Sequence, residues 1–210
     1  MISHKELMNL YNKLFDEAVK KGISEFLRQD FDNKGEKYKT DMLWKIDALI
    51  GGVGGYCLPS SSSKNPYPAG IERELYRPLQ YTKEEIDVGY GRVNARYIID
   101  MCGMHLEAAC RLLVMNSVLD EFRFSNCTLG KAVHRIEKKK LLDGNVIQAL
   151  YDFVQIYNRS KHEVNQDETR ERLFSTDDAI VAYFATRILG VSILQKLGRE
   201  ESFKVYDIYD

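Results

Sequence analysis

Arg159 and His162 have the residue types and the spacing that best suit phosphate chemistry in this chain. An arginine guanidinium is a planar, always-charged fork that binds two phosphate oxygens at once. A histidine titrates near pH ~6.5, so it can accept or donate a proton at neutral pH. If the preceding helix runs through His162, the two side chains share one face. They could then act together on one phosphodiester without a metal, Arg159 stabilising charge and His162 moving a proton.

The same run, residues 158–162 and hereafter the Arg159 cluster, also suits a structural role. Asn158 could cap the C-terminal end of its helix, and Arg159 could bond the last free carbonyl groups there. His162 is followed by Glu163 and a charged stretch, which is typical of a surface histidine. A third interpretation is anion binding without catalysis. The residues alone leave these three alternatives open.

The first fifty residues predict two helices. Residues 5 to 28 carry apolar side chains at three- and four-residue spacing, which is typical of an amphipathic helix. Ser3 is the expected N-cap of this helix, with Glu6 completing a capping box. His4 belongs to a terminus expected to be mobile. Thr40 to Ile50 predicts a second, shorter helix.

Residues 51 to 70, which are rich in glycine, serine and proline, predict a long loop. The glycines also permit a phosphate-loop interpretation. However, the G-K-[ST] ending of that motif is missing, and no strand precedes it. We therefore divide the chain into an N-terminal helical segment (1–50), a loop or linker (51–80) and a helical bundle (81–210).

The stretch from Thr82 to Asp120 predicts a central helix, with a break near Gly89 and Gly91. Its apolar residues cover most of the helix circumference, which indicates burial on several sides. Its methionines favour core packing over a cofactor pocket, because methionine commonly fills irregular gaps in cores. One predicted core stripe comprises Tyr97, Met101, Met104, Ala108, Leu112 and Met115, and Ile98, Cys102, Ala109 and Leu113 widen it.

Three further helices complete the predicted bundle. Thr128 to Lys140 predicts a short basic helix, and Asp143 is the expected N-cap of the helix that carries the Arg159 cluster. Ser175 is the expected N-cap of the last helix, with Asp178 in the capping-box position, and Gly198 ends it. No alternating apolar pattern of strand length is present. The predicted fold class is all-α: a helical bundle with an N-terminal helical extension and a long Gly/Ser/Pro loop.

The overall charge does not favour binding to nucleic acid or to a membrane. The chain has 30 Lys and Arg residues against 31 Asp and Glu residues, a net charge of −1. The four cysteines form no C-x-x-C pair and show no zinc-finger spacing, so we expect no metal and no disulfide framework. Cys102 and Cys110 are expected to act as small hydrophobes, and His105 as a hydrogen-bonded core or interface histidine. No segment resembles a signal peptide or a membrane span, so a cytoplasmic location is expected, and no cofactor is predicted.

A local basic patch lies in the short helix before the Arg159 cluster. Its net charge is +4, from five basic residues minus one acid. Such a patch could neutralise RNA phosphates in a salt-sensitive way, or it could simply be a solvated helix face. The basic residues are Lys131, Arg135, Lys138, Lys139 and Lys140, and the acid is Glu137.

The order of features over residues 92–198 resembles the HEPN superfamily of helical-bundle proteins. The corresponding segments are RVNARYIIDMCGMHLEAACRLL, CTLGKAVHRI, NVIQALYDFVQIYNRSKH and TDDAIVAYFATRILGVSILQKLG. Many members are ribonucleases whose motif has four to six residues between an Arg and a His. Arg159 and His162 match the residue types, with two residues between them.

The resemblance implies a metal-independent ribonuclease mechanism with Arg159 and His162 as catalytic residues. It also implies a homodimer, a defence or toxin setting and an antitoxin-like protein partner. The residues expected to bind RNA are Asn158, Lys161, Lys131, Arg135, Lys138 and Lys139. Because some members are non-catalytic, the alternative is a helical dimerisation or interaction module.

Overall fold

The computed structural model of the chain describes residues 2–29, 36–51, 71–88, 94–117, 127–164 and 173–198. Within these ranges the chain is helical and contains no strand, which confirms the all-α prediction. Every helix contributes buried side chains to one hydrophobic core. The helices are α1 (Lys5–Leu14), α2 (Glu17–Leu27), α3 (Glu36–Ile50), α4 (Ile71–Val88), α5 (Ala95–Ser117), α6 (Leu129–Lys138), α7 (Gly144–His162) and α8 (Thr176–Lys196).

Helix α5 lies at the centre of the bundle. It packs most extensively against α8 and α4, and it also contacts α6 and α7. Ile98, Cys102, Ala109 and Leu113 are buried as predicted, and so is Leu112. The central position of the helix is therefore confirmed, and its cause is the apolar surface on most sides of α5. Its predicted start is wrong, because residues 82–88 belong to α4, and the predicted break near Gly89 and Gly91 lies outside the described residues.

The predicted core stripe is wrong for two methionines. Met104 is 47% exposed and Met115 is 55% exposed. Tyr97, Met101 and Ala108 on the same face are only partly buried. The physical reason is that α4, α6, α7 and α8 cover the other sides of α5, so one narrow face of this helix remains at the surface.

The single helix predicted over residues 5 to 28 is wrong, because the chain breaks at Phe15 and Asp16. Asp16 has extended backbone angles, and its carboxylate accepts a hydrogen bond of 2.8 Å from the backbone N–H of Val19. An aspartate in this position starts a new helix instead of continuing the old one. The break turns α2 onto α3, while α1 packs against α7 and α8.

The predicted Ser3 cap is also wrong, since His4 is the N-cap residue of α1 and makes no capping bond. Ser3 instead donates from its backbone N–H and its hydroxyl to the carboxylate of Asp178, at 2.8 and 2.5 Å. Asp178 simultaneously completes the predicted capping box with Ser175, which is confirmed. One carboxylate thus holds both the start of α8 and the N-terminal segment.

The loop assigned to residues 51–80 is too long at its C-terminal end, because α4 begins at Ile71. Pro78 lies inside α4 and removes one backbone hydrogen bond. Buried Leu75, Leu79 and Ile86 stabilise the helix around it by packing against the core. Residues 52–70, on which the rest of the loop prediction rests, lie outside the described residues.

The C-terminal helices begin and end close to their predicted positions. Asp143 is the N-cap residue of α7, although its side chain makes no capping bond. Gly198 follows α8 with φ +67°, a left-handed conformation that glycine adopts without strain. Among the described helices, none has the length and apolar character that crossing a bilayer requires.

Candidate functional site

Helix α7 continues through His162, so Arg159 and His162 lie one turn apart on the same helix. Between them, Ser160 is buried and donates a 2.5 Å hydrogen bond to the carboxylate of Asp100 on α5. Ser160 also bonds the carbonyl of Tyr157 at 2.9 Å. The middle of the cluster is therefore anchored to the central helix.

Arg159 lies between two carboxylates. Its guanidinium is 3.1 Å from Glu6 of α1 and 3.5 Å from Glu163 just beyond α7. His4 lies 3.4 Å away through Nδ1. Two anions at this distance compensate the charge of the arginine, which is 39% exposed. A phosphate approaching this guanidinium would meet both carboxylates.

The last carbonyl groups of α7 are bonded by Arg96, not by Arg159. Arg96 lies near the start of α5 and donates to the carbonyl of Ser160, and at 2.8 Å to the carbonyl of Glu163. The sequence analysis had considered this role for Arg159. Arg96 lies 64 residues before Ser160, so no local sequence pattern could identify it as the partner of these carbonyl groups.

The other cluster residues point to the surface. Asn158, Lys161 and His162 are exposed. The ammonium of Lys161 lies 3.7 Å from the centre of the Tyr157 ring, a cation–π contact. In the described part of the chain, the ring of His162 has no hydrogen bond or ion pair with another side chain, and it is exposed.

The N-terminal segment is held against this end of the bundle, contrary to the mobile terminus expected at His4. The Nε2 atom of His4 is 3.0 Å from the carbonyl of Leu173, and its ring lies 4.5 Å from the ring of Phe174. With Ser3 on Asp178, the segment bridges the end of α7 and the start of α8.

The basic face of α6 lies on the opposite side of that helix from the core. Leu129, Ala132, Val133 and Ile136 are buried, whereas Arg135 is half-buried. Glu137, the acid of the patch, accepts a 2.6 Å hydrogen bond from the hydroxyl of Tyr151. Four lysines are exposed: Lys131 and Lys138 on the helix, and Lys139 and Lys140 directly after its end.

The basic face and the Arg159 cluster are not one continuous site. The contact between Glu137 and Tyr151 places the C-terminal end of α6 beside the first half of α7. His162 is eleven residues further along α7, which corresponds to about 16 Å of helix. Lys138 and Lys139 therefore lie near one end of α7, and Arg159 and His162 lie at the other.

A second charged group, which the sequence analysis missed, is buried between α3, α4 and α8. Asp47 accepts from Lys83 at 2.6 Å, from Arg187 at 3.2 Å and from the hydroxyl of Tyr183 at 3.1 Å. All four side chains are at most 3% exposed. We name these residues the Asp47 cluster.

Two further contacts extend the Asp47 cluster. The ammonium of Lys83 lies 3.6 Å from the centre of the Trp44 ring, and Arg187 donates to the carbonyl of Gly51 at 2.9 Å. Burial, followed by the charge of Asp47, raises the pKa of Tyr183 well above its ordinary value. The available sequence signal was an arginine within the otherwise apolar α8.

His105 is a core histidine, as predicted. Its Nδ1 atom lies 2.5 Å from the carbonyl of Leu75, and the residue is 1% exposed. Burial lowers the pKa of His105 to about 4, and the charge of Arg187 adds to this effect. His105 is therefore neutral at physiological pH.

The described cysteines are buried and unpaired. Burial raises the pKa of Cys102 to about 12 and that of Cys110 further, which keeps both thiols protonated and unreactive. Their predicted role as small hydrophobes is confirmed. Within the described ranges, no group of three or more His, Cys, Asp and Glu side chains is placed to bind a metal ion.

Comparisons with protein-family models, with curated proteins and with solved structures found no match to this chain.

Proposed function

We propose that this chain is a HEPN-like helical protein that binds RNA through the basic face of α6, and that the Arg159 cluster is structural. The observation that carries the proposal is the segregation of charge on α6. One side of the helix is buried, and the other presents lysines whose nearby acid, Glu137, is engaged by Tyr151. Exposed lysines on one side of a helix can neutralise phosphates of an RNA backbone.

The ion pairs of Arg159 favour RNA binding without cleavage. A transition state for phosphodiester cleavage needs an arginine charge that is available to non-bridging oxygens. Glu6 and Glu163 already compensate that charge, and their own charges oppose an approaching phosphate. The proposal therefore assigns RNA contact to Lys131, Arg135, Lys138 and Lys139, with Asn158 and Lys161 outside the main contact.

The remaining parts of the proposal come from the HEPN resemblance. It implies a homodimer, a defence or toxin setting and an antitoxin-like protein partner. None of these depends on whether the Arg159 cluster is catalytic.

The first experiment measures binding of labelled single-stranded RNA by fluorescence anisotropy at several salt concentrations. For Lys138→Glu/Lys139→Glu we expect at least tenfold weaker binding. The slope of log K against log salt should become shallower by roughly 1.4, at about 0.7 for each lost single-strand phosphate contact. The matched control is Lys5→Glu/Lys45→Glu, which changes the net charge equally at two other exposed lysines.

Equal weakening by both double variants would show a general charge effect and contradict the assignment to α6. No RNA binding by the wild-type protein would overturn the proposed function itself.

The second experiment tests cleavage of mixed RNA in EDTA by the wild-type protein, His162→Ala and Arg159→Ala. The proposal expects no cleavage by any of them. Cleavage that is lost in His162→Ala and kept in His134→Ala, a change at another exposed histidine, would instead identify a metal-independent ribonuclease at the Arg159 cluster.

A second candidate function is the helical interaction module without RNA binding. The observation that favours it is the exposed face of α5, with Met104 and Met115 about half exposed. Exposed methionines on one helix face are typical of protein-binding surfaces.

A further inference from the structure

Tyr151 lies where α7 packs against α6, beside the basic face of α6. Its hydroxyl donates the 2.6 Å hydrogen bond to the carboxylate of Glu137. The two helices also approach each other at Gly130, where an added Cβ would lie 3.5 Å from the side chain of Val154. These two contacts turn the side of α6 that carries Gly130 and Glu137 toward α7. Tyr151 is therefore at the border between the two helices.

The exposed lysines of α6 begin next to this border. Lys138 follows Glu137 by about 100° around the helix axis, and Lys131 lies on the same side as Lys138, about 10 Å away along the axis. Both lysines are exposed. An RNA strand whose phosphates contact these lysines can therefore place a base beside the ring of Tyr151.

The ring of Tyr151 is held in one orientation. The residue is half-buried and packs against the hydrophobic core, and the bond to Glu137 fixes the hydroxyl at the far end of the ring. Burial, followed by the hydrogen bond and the charge of Glu137, raises the pKa of Tyr151 to about 12, so the hydroxyl stays protonated and keeps donating. A ring fixed at both ends loses little conformational freedom when a ligand stacks on it.

The residues of α7 that flank Tyr151 on the surface are uncharged. Gln148 and Gln155 lie three residues before and four residues after Tyr151, so the three side chains share one face of the helix. Both glutamines are exposed. Their amides can donate and accept hydrogen bonds, and they do not repel a phosphate. This face of α7 therefore suits contact with RNA bases.

We propose, on the basis of the RNA binding assigned to α6 above, that Tyr151 stacks on an unpaired base while the lysines of α6 contact the neighbouring phosphates. The preferred ligand is then single-stranded RNA. Every base has a π-face, so this stacking needs no particular sequence. In a duplex the bases cover each other, and only the phosphate contacts of the lysines remain.

Fluorescence anisotropy with a labelled single-stranded RNA and with a duplex of the same length tests the stacking. Tyr151→Leu removes the aromatic ring and keeps an apolar side chain against the core. For this variant we expect about tenfold weaker binding of the single strand, because one base–aromatic stack is lost, and an unchanged affinity for the duplex. Tyr81→Leu is the matched control, since Tyr81 is an exposed tyrosine on α4, which packs against α3, α5 and α8. Tyr81→Leu should bind both RNAs like the wild type.

Tyr151→Phe separates the ring from its hydroxyl. It keeps the stacking surface and loses the bond to Glu137, so we expect it to bind the single strand much more tightly than Tyr151→Leu. A strand with one 2-aminopurine among uridines adds a spectroscopic readout, because stacking on an aromatic ring quenches the fluorescence of this base. Quenching on binding is expected for the wild type and Tyr151→Phe, and less quenching for saturated Tyr151→Leu. Circular dichroism melts establish that each variant is folded.

Three results would overturn the stacking role: single-strand binding by Tyr151→Leu as tight as by Tyr81→Leu, equal weakening of single-strand and duplex binding in Tyr151→Leu, or equal weakening in Tyr151→Phe and Tyr151→Leu. Each of them leaves RNA binding by the basic face of α6 in place. Absence of RNA binding by the wild-type protein would instead overturn the proposed function, and the role of Tyr151 with it.

Discussion

The Asp47 cluster and the Arg159 cluster resemble each other in composition and differ in environment. The Asp47 cluster places one carboxylate against Lys83 and Arg187 in the interior, where all three side chains are at most 3% exposed. The Arg159 cluster places one guanidinium between Glu6 and Glu163 at the surface. Charge pairs in the interior are weakly screened, whereas water and salt screen those at the surface.

This difference in burial indicates how much each cluster contributes to the stability of the fold. Removing one partner from a buried group leaves an uncompensated charge in the core, so the Asp47 cluster should control whether α3, α4 and α8 stay together. Removing one partner at the surface costs little, so the Arg159 cluster can be varied for functional tests without unfolding the protein.

The largest expected effect is that of Asp47→Ala. It leaves Lys83 and Arg187 buried without a counter-charge, and we expect the free energy of unfolding to fall by about 3–5 kcal/mol. Urea denaturation followed by circular dichroism measures the change. Asp143→Ala is the control, since Asp143 is exposed and its side chain makes no capping bond; its effect should stay within about 0.5 kcal/mol. Similar losses of stability in Asp47→Ala and Asp143→Ala would contradict the stabilising role of the Asp47 cluster.

A second effect concerns pH and His105, which lies beside Arg187. Its folded-state pKa of about 4 is below the ordinary 6.5, so the unfolded chain binds the proton more readily. The contribution of His105 to stability is therefore complete above pH ~6.5 and is lost as pH falls toward ~4. At 1.36 kcal/mol per pKa unit, the loss is about 3 kcal/mol.

Unfolding free energies at neutral and acidic pH, for the wild type and His105→Gln, isolate this contribution. Carboxylates titrate in both proteins, so their effect cancels in the difference. The variant should lose less stability on acidification. Equal losses would mean that His105 is accessible to protons in the folded state.

A third prediction concerns the packing that holds α7, the helix of the Arg159 cluster, against α5. A Cβ at Gly103 would overlap the ring of Tyr157. We expect Gly103→Ala to reduce the free energy of unfolding by about 1–3 kcal/mol, because the ring must move. Gly144→Ala is the control, since a Cβ at Gly144 meets no atom within 4 Å. Thermal denaturation distinguishes them, and an unchanged melting temperature for Gly103→Ala would refute close packing here.

The smallest effects are expected at the Arg159 cluster itself. Arg159→Ala should reduce the free energy of unfolding by at most about 1 kcal/mol, and by less at high salt. His162→Ala should change it by less than about 0.5 kcal/mol. Denaturation at low and high salt measures both. A loss for Arg159→Ala as large as that for Asp47→Ala would remove the distinction between the two clusters.

Whether a feature could be predicted depends on how far apart in the chain the interacting residues lie. The capping box of Ser175 and Asp178 and the end of α8 before Gly198 were predictable, because each depends on neighbouring residues. The role of Ser3 was not predictable, because its partner Asp178 lies 175 positions away. The break at Asp16 had a local signal, the aspartate, which the apolar spacing on both sides masked.

The all-α class, the central position of α5 and the concentration of basic residues on α6 could be predicted from the amino-acid sequence. These follow from helical periodicity and from local caps. The folded structure was needed to show that Asp47, Lys83 and Arg187 meet in the core. It was also needed to show that Arg159 lies between Glu6 and Glu163, and which face of α5 stays exposed. Those outcomes depend on contacts between residues far apart in the chain, and no local pattern records such contacts.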